Sequence, residues 1–503
     1  MYVRALEGCA SDRIGAPMIL YAIVLGIIVV TLLGVSLARL GSVKTKADYL
    51  VAGRSLPAFV LVFTLLSSWI GSGSLLGGAE NAYKHGFAAL WQAAGGWAGL
   101  LLIYFIAPRA RKFAQFTIPD LLESRYNQTA RVLGVIAVLF TYTAITSYQF
   151  IGGGDILHLI FPEISAVHGQ WILAGFVILF TMIAGMGSVA YMDVVIGLLA
   201  VFTLIASLPV LLHMAGGWSG VRGVLPATHF QFFGDLSGIQ AMELFLPTCL
   251  LMLGNQSMYQ KFFSAKTEKD ATRAVSGWLV GTVILESIIV AIAVVGSALY
   301  RTGEVHSRPR EILAYTATHA FGQYMDNSGF GAKALSVLGA LLVGAIFAKV
   351  VSTANNYLFS PATNLVNDVF LRYIKPDAKN WVVLLVSRGM VVGLGAWALY
   401  QSLGTTSVLK KSLYAYTIYA AALTPVILAA FFWRRATAKG AVASIAAGTA
   451  ITVGWDWLTP HLPAVIAARD AILPALVGSL LCLVVVSLAT ERPSESHLKP
   501  FEG

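Results

Sequence analysis

Thirteen stretches of this chain stay apolar for about the 20 residues that cross a bilayer as a helix. They are 17–39, 58–81, 86–108, 129–160, 170–187, 190–214, 240–263, 273–300, 333–361, 381–404, 411–433, 439–459 and 468–490. A chain patterned in this way has lipid as its main solvent. In lipid every backbone N–H and C=O must be satisfied inside the protein, and helices do this segment by segment. The sequence therefore predicts an all-α, polytopic membrane protein of about 13 transmembrane helices. Composition agrees: 57% of the 503 residues are hydrophobic and 12% are charged, where soluble domains carry about 25% charge.

The first apolar run follows acidic as well as basic residues and lacks a small-residue cleavage site. It reads as a spanning helix rather than a signal peptide. With the N-terminus outside, 21 of the 34 Lys and Arg fall in loops placed in the cytoplasm, Lys261 and Arg131 among them, and 11 on the opposite side. Lys349 and Arg388 lie within spans. That bias predicts an outside N-terminus and a cytoplasmic C-terminus, and the expected location is a plasma membrane, the inner one in a bacterium. The formal charge of +10 follows from the same loops. No basic patch outside the spans points to nucleic acid. Cys9, Cys249 and Cys482 are far apart and suggest neither a disulfide framework nor a metal site. Most of the nine histidines sit in loops and no HExxH or GxSxG context occurs, so an enzyme is not expected, and no cofactor.

Three stretches break the apolar pattern at membrane depth. Gly71-Ser72-Gly73-Ser74 interrupts the second span, and Leu253-Gly254-Asn255-Gln256-Ser257 the seventh. The third is Ala345–Asp368, which begins apolar and then turns polar. On a helix Lys349, Ser352, Thr353 and Asn356 share one face. A lysine there is expensive unless it has a partner or a task.

Five patches in order resemble the sodium:solute symporter family. They are Ala52-Gly53-Arg54-Ser55-Leu56-Pro57, Thr117-Ile118-Pro119-Asp120 through Tyr126, Ala184-Gly185-Met186 through Asp193, Ser352-Thr353-Ala354-Asn355, and Pro425 through Ala441. The similarity covers about residues 45 to 445. It implies a LeuT-like five-plus-five inverted repeat, with one helix before it and two after. Residues 1–45 would hold the first helix and a cytoplasmic loop. Residues 46–435 would form the transport core, with repeats 58–214 and 240–433. Residues 436–503 would supply two helices and a short tail. Each repeat would begin with a discontinuous helix, tolerated where backbone lines a cavity.

The resemblance also implies an ion site. Ser67, Ile70 and Lys349 would offer carbonyls, and Ser352 and Thr353 hydroxyls, to a sodium ion. Asp193 stands in the family's acidic position. Where many relatives have a small residue this chain has Lys349, and where some have an acidic or amide side chain it has Trp69. Three readings of Lys349 stay open: its ammonium replaces the ion, it pairs with Asp193, or it snorkels to the cytoplasmic interface. A solute site is expected at the repeat interface, from Ser72, Ser74, Trp91, Gln92, Gln149, Asn255, Gln256, Tyr416 and Tyr419. Embedded Glu286 reads as a structural partner of Arg388. The expected function is symport of a small organic solute by alternating access, coupled to sodium. The alternative is sodium-independent or proton-coupled transport with Lys349 in the ion's place, and a transporter-fold sensor is more remote.

Overall fold

The computed structural model describes residues 15–39, 52–113, 117–183, 186–301, 304–324, 329–405, 407–498 and 501. The expected first cytoplasmic loop, Cys9 and the Ala184-Gly185 end of one motif lie outside the described residues. The fold is all-helical. Among the described residues β pairing is confined to an isolated parallel bridge between Leu56 and Ala265.

In chain order, α1 (Gly15–Arg39) precedes α2 (Ala58–Trp69), which breaks at Ile70 and resumes through a π turn, Gly73–Gly78, into α3 (Ala79–His85). Gly86, at φ 62°, turns the chain toward α4 (Leu90–Phe113). A Cβ there would run into the His229 backbone. A short helix α5 (Ile118–Arg125) leads to α6 (Gln128–Ile160), α7 (Ala166–Ile183) and α8 (Met186–Met214). Then come α9 (Gly217–Val224), the broken pair α10 (Gly238–Gly254) and α11 (Gln256–Ser264), and α12 (Glu268–Leu299). The remainder is α13 (Ile312–Gly322), α14 (Phe330–Asn364), α15 (Asn380–Ser402), α16 (Val408–Ala422), α17 (Thr424–Phe432), α18 (Ala438–Leu458) and α19 (Ile472–Ala489).

Local sequence explains where these helices start. Free N–H groups at a helix N-terminus need acceptors. Thr117 accepts from the Asp120 amide, Asn127 from Ala130, Thr267 from Asp270, Ser407 from Lys410 and Thr437 from Gly440. Ser237 and Gln240 form a reciprocal capping box before α10.

Among the described residues ten helices are long and apolar enough to cross a membrane. Two of the thirteen apolar runs are shortened by breaks. Ala58–Trp69 is a shorter apolar helix, and the run at 240–263 is divided at Asn255. Large apolar side chains such as Phe59, Phe105, Phe202, Trp381 and Leu488 face outward. A soluble protein rarely exposes so much apolar surface, so the chain is a multi-pass membrane protein.

Small residues set the closest helix contacts, as expected without a hydrophobic drive between helices in lipid. On α4 a Cβ at Gly99 would lie 2.6 Å from the Cys249 carbonyl oxygen of α10 and 2.7 Å from Met252 Cβ, and one at Gly95 would strike the Phe245 carbonyl. Gly95→Val should lower stability by about 1–3 kcal/mol through overpacking. Gly175→Ala on α7, with open space around it, should not. Thermal melts of the two purified proteins in detergent measure the difference.

Candidate functional site

The helix break in α2 is built by its sequence. Ile70 leaves helical geometry at φ −82°, ψ 92°, and Gly71 follows. A Cβ at Gly71 would lie 2.5 Å from Thr353 Oγ1, so glycine is what lets α14 come this close. Thr353 Oγ1 donates to the Ser67 carbonyl at 2.8 Å. Past the break, the Ser72 amide donates to Gln149 Oε1 of α6 at 2.8 Å, and the Leu75 amide to the Gly71 carbonyl at 2.8 Å. The polar face of α14 thus does meet the α2 break, and Ser67, Ser352, Thr353, Lys349 and Asp193 come together. Ile70 is fully buried beside them.

At the centre is Asp193 of α8, which is completely buried. Its carboxylate accepts from Thr64 Oγ1 at 2.5 Å, from Ser352 Oγ, and from Asn356 Nδ2 at 3.4 Å. Lys349 Nζ donates to Ser67 Oγ at 3.1 Å, and Ser67 Oγ in turn donates to the Asp193 backbone carbonyl at 3.2 Å. A second lysine approaches from α11. Lys261 Nζ donates to Asn356 Oδ1 at 2.8 Å and to Ser257 Oγ at 3.1 Å. Both lysines are 1% exposed, so Lys349 does not snorkel and Lys261 does not belong to a cytoplasmic loop. Each is linked to Asp193 through one intervening side chain, Lys349 through Ser67 and Lys261 through Asn356.

Lys261 and Thr64 were not among the expected site residues. Lys261 looked like a loop cation because it ends an apolar run. Its spacing from Ser257, one helical turn on the same face, was the available signal. Arg131, counted with the same loops, is also buried.

The second break is closed differently. Asn255 caps α11 by accepting from the Ser257 amide at 3.0 Å. Tyr142 OH donates to Asn255 Oδ1 at 2.7 Å and accepts from the Ser257 amide at 2.9 Å. Asn255 Nδ2 donates to Tyr357 OH at 2.8 Å, and the Gln256 amide to Tyr419 OH at 3.1 Å. Gln256 Oε1 accepts from the Ile118 amide of α5 at 2.5 Å. Asn255, Gln256 and Tyr419, expected in a solute cavity, are instead spent satisfying this break.

The cavity itself lies on the other side of the α2 break. Ser74, Gln92 and Tyr416, all expected there, line it, together with Trp69, Thr248 and Glu286. Gln149 and Ser72 are buried behind it at the break, where Ser72 packs against Gly152. Trp91 is elsewhere: its Nε1 donates to the Phe232 carbonyl at 3.1 Å and its ring stacks on Phe233. The expected Glu286–Arg388 pair does not form. Arg388 Nε donates to the Met182 carbonyl at 3.2 Å, while Glu286 takes Trp69 Nε1 and Trp97 Nε1, each at 2.9 Å, and Ser74 Oγ at 3.1 Å.

Ion pairs close the bundle on both sides of this centre. On one side Arg131 of α6 binds Asp120 and Asp368 at 2.5 Å each, and Glu123 as well. Thr117 Oγ1 donates to Asp368 at 3.0 Å, and Arg372 pairs with Glu123 at 2.8 Å. On the other side Arg310 pairs with Asp155 at 2.7 Å. Burial, then the nearby Asp155, push the Glu311 carboxyl up to about 7, against the pull of Arg308 and Arg310.

Among the described residues, removing Asp193 would leave buried Lys349 and Lys261 without the carboxylate to which Ser67 and Asn356 link them. Breaking a buried pair by deleting one partner costs about 3–5 kcal/mol, so Asp193→Ala should melt well below the parent protein. Adding Lys349→Met to that variant should restore part of the loss. Equal additive losses in the thermal-melt cycle would exclude the coupling.

A family model described as the sodium:solute symporter family matches residues 49–448. Over most of its length the chain is similar to the high-affinity proline transporter PutP of Bacillus subtilis. Identity is 25% across 90% of this chain and 95% of the relative. A sodium/proline symporter of Staphylococcus aureus is also 25% identical, across 89% of this chain and 88% of the relative. Among solved structures, the fold is similar to a substrate-bound, outward-open Na+-coupled sialic acid symporter. The TM-score is 0.74 at 16% identity, over 94% of this chain and 99% of that one. It is also similar to Mhp1, a nucleobase-cation-symport-1 family transporter in a closed conformation. There the TM-score is 0.57 at 12% identity, over 91% and 99%. With 400 contiguous residues matched by its model, the chain belongs to the sodium:solute symporter family.

Proposed function

We propose that the chain is a secondary active transporter that moves a small organic solute across the membrane by alternating access, coupled to a cation. The observation that carries this reading is the broken α2 turned toward Ser352 and Thr353 of α14, in a chain of this family. A helix break at membrane depth is tolerated where it lines a binding cavity, and here it stands between the cavity and the Asp193 centre. In the sodium reading, the carbonyls of Ser67, Ile70 and Lys349 and the hydroxyls of Ser352 and Thr353 hold the ion. Asp193 supports it from behind.

A second reading has its own observation. The Lys349 ammonium sits at Ser67 Oγ, inside the group of residues that would hold sodium. In this reading the ammonium supplies the positive charge, and transport runs without sodium, with a proton as the coupling ion.

Thirteen crossings in a five-plus-five inverted repeat, outside N-terminus and cytoplasmic C-terminus, complete the proposal. The two broken helices, α2 with α3 and α10 with α11, support the repeat, and the Lys and Arg bias supports the orientation. In that orientation the Arg131 cluster closes the cytoplasmic side and the Asp155–Arg310 pair the external side. The two sets would break in alternation as access switches.

Uptake by purified protein in liposomes tests the proposal against empty liposomes. If sodium occupies the site, replacing it with potassium should reduce uptake to background, and Ser352→Ala or Thr353→Ala should raise the sodium concentration needed. If Lys349 takes the ion's place, uptake should persist in potassium and fall with a collapsed proton gradient. Lys349→Ala should then make it sodium-dependent.

A further inference from the structure

Glu286 lies outside the cation centre and, among the described residues, has no countercharge. It sits midway along α12 and is 5% exposed. Its partners are Trp69 Nε1, Trp97 Nε1 and Ser74 Oγ. Indole N–H groups can only donate, so both carboxyl oxygens serve as acceptors. Among the described residues no lysine or arginine pairs with it. A buried carboxylate without a cation is costly in a membrane protein and marks a functional position.

The surroundings are those of a binding pocket. Glu286 lines the cavity beside the α2 break, with Trp69, Ser74, Gln92 and Tyr416. Gln92, also in that wall, is 7% exposed, and its Oε1 has no partner among the described residues. The cavity therefore holds one carboxyl group and one unpaired acceptor, and no basic side chain lines it. The rings of Trp69 and Tyr416 stack there at 6.3 Å and 23°. Aromatic faces attract cations.

We infer that the solute carries a protonated amine nitrogen, held between the Glu286 carboxylate and Gln92 Oε1 against the Trp69–Tyr416 wall. An ammonium fits on three counts. It neutralises the buried charge, donates to the orphaned carbonyl, and meets rings that favour a cation. A neutral polyol would leave Glu286 uncompensated. An anion without an ammonium would add repulsion to that cost. The inference rests on the transport reading for its biological meaning, but binding can be measured without transport.

Matched ligands that differ only at the nitrogen test it. Pyrrolidine and tetrahydrofuran form one pair, and proline and tetrahydrofuroate the other, with an ether oxygen replacing the ammonium. Binding to the purified full-length protein is read from thermal stabilisation and from quenching of tryptophan fluorescence. In at least one pair the nitrogen compound should bind at least about tenfold tighter, a free-energy difference of about 1.4 kcal/mol. Glu286→Gln should remove that preference. Trp97→Phe, which keeps the carboxylate, should retain it. Equal binding within both pairs, tighter binding of an ether compound, or no response to either amine would overturn the inference. So would a Glu286→Gln protein that keeps the preference. If Glu286→Gln does not fold, the pairs on the parent protein decide. Uptake of a neutral solute alone would sink the amine inference and leave transport standing. An amine that binds but is never taken up into liposomes would sink the transport reading and leave the pocket assignment standing.

Discussion

Backbone that leaves the helix inside a membrane must find partners there, because lipid offers none. Two breaks, at Ile70–Ser72 and at Asn255, impose this requirement, and much of the polar interior is arranged to meet it. At the first, α14 and α6 supply Thr353 and Gln149. At the second, Tyr142 and Tyr419 bring hydroxyls from α6 and α16 while Asn255 caps its own helix. The two solutions differ in kind. The second break is closed by aromatic hydroxyls and side-chain amides. The first keeps small hydroxyls and non-helical backbone beside a carboxylate, the oxygen-rich set that a hard cation or an ammonium uses.

The charges near the first break tie four elements together. Asp193 belongs to α8, Thr64 and Ser67 to α2, Lys261 to α11, and Lys349, Ser352 and Asn356 to α14. Taking each charge out of water costs several kcal/mol, and the hydrogen bonds around Asp193 offset part of that. An ammonium has three donors. Among the described residues Lys349 has one side-chain acceptor and Lys261 two. Both lysines are therefore less satisfied than the aspartate, and the centre is held by attraction to a single carboxylate. Such a group responds to any added or removed cation, because one charge changes the balance for all four elements.

The membrane fold was legible because its determinant is coarse. Runs of apolar residues set the helices, and breaks with glycine or asparagine stood out within them. The Ser352–Thr353 face and Asp193 could be placed by motif order and by helical periodicity. Lys261 could not, because a lysine at the end of an apolar run looks the same whether it leaves the membrane or turns inward. Asn255, Gln256 and Tyr419 were misplaced for a related reason. Amides and tyrosines serve a helix break and a solute pocket equally well, and only packing decides which. Glu286 was given the wrong partner. Charge alone pointed to Arg388, whereas the structure satisfies the carboxylate with two indoles that sequence spacing does not connect to it.

The last turn of α2 joins these features physically. Ser67 faces Lys349 and Thr353, while Trp69, two residues on, faces Glu286 and the cavity. Between that turn and Ser72 lies the non-helical Ile70–Gly71 link, which can change shape without breaking a helix. A cation or proton that altered the Lys349–Ser67–Asp193 contacts would shift the Ser67 end of the turn. The Trp69 ring, bonded to Glu286, would have to follow or give up its hydrogen bond. A solute that drew Glu286 away from Trp69 would act on the same turn from the other side. Coupling between two sites is reciprocal by thermodynamic necessity, and a shared turn at the end of a broken helix gives that reciprocity a short mechanical path.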